Sequence, residues 1–313
     1  MLYLFVPVWA GITNGLIFAY RRQAALKIGI VGKSNLQEAH AIARKLTKWL
    51  EKKDVEVYIE RDLDDNNNHP NTVSRSVISK TVDIILVLGG DGTFIGMSRL
   101  ACKYGVPILG INLGRLGFLT EIATDEIYQM MERILSGDYE VEDRHMLTAK
   151  VKTSSGKVRS YELLNDVVIN KGALARIMDL AMYIDGAHVT TYRADGIILS
   201  TPTGSTAYSL SAGGPIVAPG LNLTIVTPIC PHTLTNRPLV VSGDAKIDIK
   251  IISEEQDSYL TLDGQIGIKL KGGDTVSVQI SDKTAKLIKS PFRDFYTILN
   301  MKLMWGEKRG KVS

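Results

Sequence analysis

Asp83-Ile84-Ile85-Leu86-Val87-Leu88-Gly89-Gly90-Asp91-Gly92-Thr93 runs an apolar, buried strand straight into a glycine-rich turn that carries one carboxylate. The three glycines, Gly89, Gly90 and Gly92, remove side chains and tolerate φ > 0, so backbone N–H groups can close on phosphate oxygens. Asp91 is placed at the rim, within reach of an incoming hydroxyl. The helical pattern that starts at Thr93 points its positive end at the same anion. Taken alone, a Gly-Gly-Asp-Gly turn is equally an ordinary strand-to-helix connection, so the functional reading depends on the rest of the chain.

Outward from this stretch the pattern repeats. Upstream, Lys27 to Gly32 reads as a first buried strand, and Ser34 with Gln37 predicts a capping box opening a helix. Ile42, Leu46, Trp49 and Leu50 keep one face of that helix apolar. Val55 to Ile59 alternates as a second strand, and Asp62 to Asn71 is a polar loop. Downstream come the helix from Thr93, a short strand Pro107 to Ile111, a glycine-bearing loop Asn112 to Phe118 and a helix near Asp125 to Leu135. Strands alternating with helices at this spacing predict an α/β unit built on a doubly wound parallel sheet.

From about Tyr139 the helical periods give way to short alternating runs. These are punctuated by Ser155-Gly156, Asp185-Gly186, Gly243-Asp244, Asp263-Gly264 and Gly272-Gly273-Asp274, all read as hairpin turns. The expected organisation is an α/β domain over 26–138, then a mostly β, sandwich-like domain over 139–283 with one short helix near Ser205 to Ser211. A C-terminal segment over 284–313, amphipathic from Phe292 to Trp305, returns to pack on the first domain.

Composition narrows the function. The chain has 313 residues with 45% hydrophobic content, enough for a large core and for two domains. Its 37 basic and 33 acidic residues are interspersed, which excludes a nucleic-acid stripe, and the Lys308-Arg309-Gly310-Lys311 cluster reads as a solvated tail. Cys102 and Cys230 provide neither a disulfide framework nor metal spacing, and the five histidines are scattered, so the chain reads as cytoplasmic and without a zinc site. Leu2 to Tyr20 is an uncharged run followed by Arg21-Arg22. It is long enough to span a bilayer, yet lacks the basic region that precedes a secretory signal. Residues 1–25 are therefore read as a doubtful start or a dispensable extension, with an anchor as the alternative.

Four polar constellations stand where a scaffold does not require them. The Gly89 to Thr93 loop is the first. The second is Asn165-Asp166, which interrupts the apolar sequence between Leu163-Leu164 and Val167-Val168-Ile169. Burying that amide and carboxylate unpaired costs about 1–3 kcal/mol or more, so they need a structural hydrogen bond, sugar hydroxyls or a base edge. The third is the run from Arg193 and Asp195 through Thr201-Pro202-Thr203-Gly204-Ser205-Thr206-Ala207-Tyr208-Ser209-Leu210-Ser211 to Gly214, crowded with small residues and hydroxyls that let a flat ligand approach the backbone. Asp263-Gly264-Gln265 is the fourth, and as a bare motif it is a hairpin turn. No Walker-type loop and no Gly-x-Ser-x-Gly elbow occurs.

Taken in order, these motifs resemble the bacterial-type NAD kinases from about Leu26 to the C-terminus. Gly89 to Thr93 resembles their kinase loop, Asn112-Leu113-Gly114-Arg115-Leu116-Gly117-Phe118-Leu119 the segment that follows it, and Asn165-Asp166 their Asn-Glu or Asn-Asp pair. The run Asp195 to Gly214 is the most specific. The glycine loop alone is shared with diacylglycerol, sphingosine and phosphofructo-kinases.

The resemblance implies transfer of the ATP γ-phosphate to the 2′-hydroxyl of the adenosine ribose of NAD, giving NADP. It implies Asp91 as general base and Gly89, Gly90, Gly92 and Thr93 around the nucleotide. Asn165 and Asp166 are implied as anchors of sugar or base edges, with Arg176, Arg193 and Asp195 framing the site. Thr206, Ala207, Tyr208, Ser209, Leu210 and Ser211 are implied to line an adenosine pocket reached by Gln265. A divalent cation, Mg²⁺, is implied at the donor phosphates, its protein ligands unassigned. The resemblance also implies a homo-oligomer in which a partner subunit completes the pocket, with polyphosphate as a possible second donor and no membrane association. Two alternatives stand beside this reading: a lipid or sugar kinase sharing the glycine loop, and a non-catalytic dinucleotide-binding sensor.

Overall fold

The computed structural model describes residues 25–64, 69–172, 176–233, 235–253 and 258–304. The apolar run Leu2 to Tyr20 and the basic cluster Lys308 to Lys311 lie outside the described residues. Among the described residues no helix is long and apolar enough to cross a membrane.

The first half contributes five parallel strands: β1 (Lys27–Gly32), β2 (Glu56–Glu60), β3 (Thr72–Val73), β4 (Ile84–Gly89) and β5 (Ile108–Asn112). They lie in the order β5-β4-β1-β2-β3. β4 is buried at every residue and pairs in parallel with β1 on one side and β5 on the other, as an unbroken apolar strand must when helices cover both faces. Four helices alternate with these strands: α1 (Gln37–Glu51), α2 (Arg75–Thr81), α3 (Asp91–Ala101) and α4 (Ile127–Ser136). α1 packs Ala39, Ala43, Leu46 and Leu50 on one face of the sheet, beside Met130 and Ile134 of α4. That spacing is the apolar stripe of an amphipathic helix. Ile78 of α2 and Phe94, Met97 and Ala101 of α3 cover the opposite face. Strand order reverses between β1 and β4, and the crevice that such a reversal opens lies at the carboxyl ends of those strands, where Gly89 to Asp91 emerge.

The second half is a two-sheet sandwich. Its strands are β6 (Val141–Lys152), β7 (Val158–Leu163), β8 (Asp166–Lys171), β9 (Met178–Ile184), β10 (Ala187–Ala194), β11 (Gly196–Ser200), β12 (Leu223–Ile229), β13 (Leu239–Ser242), β14 (Ile247–Ile251), β15 (Ser258–Leu262), β16 (Ile266–Leu270) and β17 (Thr275–Ile288). One sheet runs β13-β12-β11-β8-β15-β16. The facing sheet is β10-β9-β14-β17, with β6 beside β17 and β7 beside β6, and it is continuous with the parallel sheet of the first half. β17 makes that continuity. It pairs with β6 along its length, with β14 near Thr275 and, in parallel, with β5 at Leu287 opposite Ile108. Alternate residues such as Val167, Ile169, Ile197 and Leu199 point between the sheets to meet Leu180, Ile249 and Val276.

Two short helical turns follow β11: a 3₁₀ turn over Thr203–Thr206 and α5 (Tyr208–Ser211). The last helix, α6 (Phe295–Leu303), is capped by Asp294, whose Oδ1 accepts from the Thr297 amide at 2.7 Å. It returns to the first half, where Arg293 donates to Glu121 O at 2.6 Å and to the Glu126 carboxylate, and Phe295 packs on Phe118. The α/β unit, the β-rich unit and the returning helix agree with the fold read from the sequence.

Several local expectations differ. Ser34 does not cap α1, because a turn at Lys33 to Leu36 intervenes and the Ser34 carbonyl accepts from His40 Nε2 at 2.7 Å. α2 lies between the polar loop ending at Asn71 and the strand from Asp83, where the sequence reading placed no element, since Arg75-Ser76-Val77-Ile78-Ser79-Lys80-Thr81 has few strong helix formers and is held by packing of Ile78. Asp185-Gly186 and Asp263-Gly264 are true hairpin turns with positive φ at both residues, and Gly156 turns β6 into β7. Gly243-Asp244 and Gly272-Gly273-Asp274 are not hairpins. They carry the chain from one sheet to the other, from β13 to β14 and from β16 to β17, because a sandwich must exchange strands between its layers.

Candidate active site

Asp91 is the first residue of α3, directly after β4. Its side chain does not stand free at a rim, as expected, but is gripped by the loop that follows β5. Oδ1 accepts from the amides of Leu119 and Thr120 and from Thr120 Oγ1, each at 3.1 Å, and Oδ2 accepts from the Phe118 amide at 2.9 Å. The loop is itself organised by buried Asn112, whose Nδ2 donates to Arg115 O and Thr120 Oγ1 while its Oδ1 accepts from the Gly114 amide. An ionised carboxylate has about four lone-pair positions. Three donors occupy Oδ1 and one occupies Oδ2, so the open acceptor position belongs to Oδ2. Gly117 makes the grip sterically feasible, because a Cβ there would fall 1.9 Å from Asp91 Oδ1. At the start of α3 the Thr93 and Phe94 amides bond to Gly90 O. The amides of Asp91 and Gly92 precede any intrahelical acceptor, the arrangement that binds anions at helix N-termini.

Asn165 and Asp166 do not interrupt one strand. β7 ends at Leu163 in the sheet that continues the parallel strands and β8 begins at Asp166 in the facing six-stranded sheet, so the pair sits on a crossing between layers. That crossing is fastened by Asp263, at the hairpin tip between β15 and β16. Its Oδ1 accepts from the amides of Asn165 at 2.8 Å and Asp166 at 3.2 Å, and its Oδ2 accepts from the Leu164 amide at 3.1 Å. Asp166 is buried beside it, and among the described residues no hydrogen bond reaches the Asp166 carboxyl. Burial, together with the neighbouring Asp263 charge, pushes Asp166 up to about 7. Burial also raises Asp263, where three amides and Arg99 oppose the rise.

A pocket of about 330 Å³ opens on the six-stranded sheet, lined by Asn165, Asp166, Val168 and Asn170, with Ala207 and Tyr208 from the α5 turn and Thr261, Asp263 and Gly264 from the hairpin. Asp166, Val168 and Asn170 share it because alternate strand residues face one side. The Oδ1 atoms of Asn165 and Asn170 are buried without a partner among the described residues, as expected of acceptors that await a ligand's donors.

Of the Thr201 to Ser211 run, part builds the wall and part faces outward. Thr201 Oγ1 donates to Leu164 O at 2.6 Å and accepts from the Gly204 amide at 2.9 Å, while Ser205 bonds to the Val217 backbone. Gly204 lies against the crossing, where a Cβ would sit 2.1 Å from Asn165 O. Ser209 is buried with its hydroxyl 3.0 Å from Thr227 Oγ1. Thr206 donates to Thr203 O, Leu210 is half-buried and Ser211 is exposed, and none of the three lines the pocket. Arg193 lies near the end of β10 and Asp195 joins β10 to β11, where it pairs with Lys171 at 3.5 Å. Arg176 is exposed just before β9. None of these three is among the residues that line the pocket.

The hairpin ties the two regions together. Gln265 Nε2 donates to Gly92 O at 2.7 Å, which brings the wall of the pocket against the glycine loop. Sequence reading missed Asn170, four residues after Asp166 on the same strand face and recoverable from alternation, and Arg99, which no local signal marks. Among the described residues no group of three or more His, Cys, Asp or Glu side chains is placed to hold a metal ion.

The ATP-NAD kinase N-terminal domain family matches residues 28–139, and the ATP-NAD kinase C-terminal domain family matches residues 164–290. The NAD kinase of Syntrophotalea carbinolica is 48% identical over 283 residues, covering 90% of this chain and 99% of the relative. The chain belongs to the NAD kinase family. Its NAD kinase relative from Magnetococcus marinus is 47% identical over 287 residues, covering 90% of this chain and 95% of the relative. Among solved structures, yeast NADH kinase complexed with NADH has a TM-score of 0.84 at 28% identity, with 93% and 91% of the two chains covered. An NAD kinase from Archaeoglobus fulgidus in complex with ATP has a TM-score of 0.69 at 28% identity, with 88% and 98% covered. Both halves of the site therefore belong to one NAD kinase fold, and the lipid-kinase and sugar-kinase alternatives fall away.

Proposed function

We infer that the protein is an enzyme that transfers the γ-phosphoryl group of ATP to the 2′-hydroxyl of the adenosine ribose of NAD, giving NADP. The observation that carries this reading is the Gln265–Gly92 contact, which sets a pocket with orphaned polar acceptors beside an anion-binding helix start that bears a carboxylate.

In this reading residues 26–138 supply phosphoryl chemistry and residues 139–283 the dinucleotide pocket. Asp91 takes the hydroxyl proton through Oδ2, while Gly89, Gly90, Gly92 and Thr93 form the turn whose amides meet phosphate oxygens. A positioned base is worth roughly 10²–10⁴ in rate, and alignment with charge neutralisation supplies the remainder. Asn165 and Asp166 accept from donors on the sugar or base edge. Ala207 and Tyr208 wall the adenosine, Thr206, Ser209, Leu210 and Ser211 shape the turn that carries them, and Gln265 closes the near side. A homo-oligomer fits the placement of Arg176, Arg193 and Asp195, which are available to a partner subunit's pocket rather than their own. A Mg²⁺ ion carried mainly by ATP phosphates suits this site, since among the described residues no group of three or more His, Cys, Asp or Glu side chains is placed to hold a metal. Bound there, the cation neutralises the donor's charge. ATP is the donor in this reading, with polyphosphate as a second candidate, and the compartment is the cytoplasm.

The test is direct. Purified protein incubated with ATP, Mg²⁺ and NAD forms NADP and ADP in equal amounts, and neither diacylglycerol nor fructose 6-phosphate replaces NAD. ADP release that depends on either of those acceptors, or NAD binding without ADP release, overturns the reading.

A further inference from the structure

The kinase loop and the dinucleotide pocket belong to different parts of the fold, yet a short polar chain links them. α3 turns Gly92, Gly96 and Arg99 toward the β15–β16 hairpin, the i, i+4, i+7 spacing of one helix face. Arg99 Nη2 donates to Gln265 Oε1 at 2.5 Å, and Nη1 lies 3.5 Å from Asp263 Oδ2. A Cβ at Gly96 would lie 3.4 Å from Gln265 Oε1, an ordinary van der Waals contact, so the hairpin side chain packs directly on this helix face. The Asp263 side chain is 0% exposed, and its carboxylate carries three consecutive backbone amides, those of Leu164, Asn165 and Asp166. A buried carboxylate this heavily used is not explained by the hairpin turn alone, which needs only the positive φ of Asp263 and Gly264.

We propose that Asp263 is a positioning residue for the dinucleotide: it fixes the Leu164–Asp166 crossing and, through Arg99, sets that crossing relative to Asp91. This rests on the NAD kinase reading. The carboxylate is rigidly presented, and Arg99 compensates its buried charge. The charged and titratable groups that face Asp166 are Asp263 from the hairpin, Arg99 behind it on α3 and Tyr208 across the pocket. Ser200, opposite Asp166 on β11, is neutral. Asp263 thus acts on Asp166 twice, by holding its backbone and by placing a like charge beside it.

Steady-state kinetics with ATP and NAD, together with NAD binding by calorimetry, are measured on both sides of pH 7 for the wild type, Asp263→Asn and Arg99→Met. Asp263→Asn is expected to raise KM and Kd for NAD about tenfold, the loss of one hydrogen-bonded charge, with KM for ATP within about twofold. The acidic limb of the NAD KM profile moves to lower pH, because the like charge beside Asp166 is gone. Arg99→Met leaves the three amide bonds and raises KM for NAD about threefold. A folded Asp263→Asn with unchanged NAD constants and pH profile, or with ATP and NAD constants altered equally, overturns the proposal. Should Asp263→Asn not fold, Arg99→Met decides, and an unchanged KM for NAD overturns it. Failure of the wild type to form NADP refutes the kinase reading before any variant is compared.

Discussion

Gly117 and Asp91 approach so closely that a methyl group at position 117 would sit 1.9 Å from Asp91 Oδ1. The carboxylate keeps its three amide donors and one hydroxyl donor only while residue 117 lacks a side chain. Gly117→Ala is therefore expected to displace Asp91 and lower kcat about 10²-fold, the usual cost of a misplacement near 1 Å. Circular dichroism and the thermal midpoint report that the fold is kept, and NADP formation reports the loss. Unaltered turnover would show that the grip on Asp91 has no catalytic weight.

Replacing Asp91 itself separates geometry from chemistry. Asp91→Asn keeps the size of the side chain but removes the base, and turnover falls roughly 10²–10⁴-fold while NAD still binds. The carboxamide also presents an N–H to amides that need an acceptor, which costs about 1–3 kcal/mol of stability. Calorimetric titration with NAD and a turnover assay on the same preparation check both halves.

Asp166 makes stability depend on pH in a definite direction. In the unfolded chain it titrates near 3.8, and in the folded chain near 7. Unfolding therefore releases a proton between those values, and the contribution of this group to stability falls as pH rises from 3.8 to about 7. Asp166→Asn removes the dependence. The ligand-free variant should gain on the order of 1–3 kcal/mol relative to wild type above pH 7 and little near pH 4, while losing NAD affinity, a trade of function for stability. Urea unfolding at two pH values measures it, and an equal effect at both would refute the assignment.

Gly204→Ala tests the crossing. The added Cβ would meet Asn165 O at 2.1 Å, against backbone that Asp263 and Thr201 already hold. Overpacking there should destabilise the protein by about 1–3 kcal/mol and weaken NAD binding more than ATP binding. A thermal midpoint equal to wild type would show that the turn relaxes freely.

Most of the architecture could be read from local signals. The apolar run before Gly89 demanded a covered parallel strand, and Ala39, Ala43, Leu46 and Leu50 supplied the helix face that covers it. Asp185-Gly186 and Asp263-Gly264 specified their turns because few other residue pairs accept positive φ twice. Signals failed where meaning depended on distant partners. Gly243-Asp244 and Gly272 to Asp274 look like hairpin turns in isolation, and only strand pairing reveals that they change sheets. Asn165 and Asp166 announced a polar site, but their support comes from Asp263, 97 or more residues away. Arg99 is one more helical arginine until the hairpin arrives beside it. The hydroxyls at Thr201, Ser205 and Ser209 were recognisable as a cluster, although sequence does not distinguish oxygens that fasten the wall from those that face a ligand.

β17 is the last strand among the described residues, and both halves wait for it. Before it emerges, β5 lacks its outer neighbour and β6 and β14 have no common strand between them. A nascent or prematurely terminated chain then exposes rows of unpaired N–H and C=O groups, the kind of edge that recruits other chains. Closure of the sheet thus depends on β17, and a product cut short of Thr275 should precipitate rather than persist as a half-active kinase.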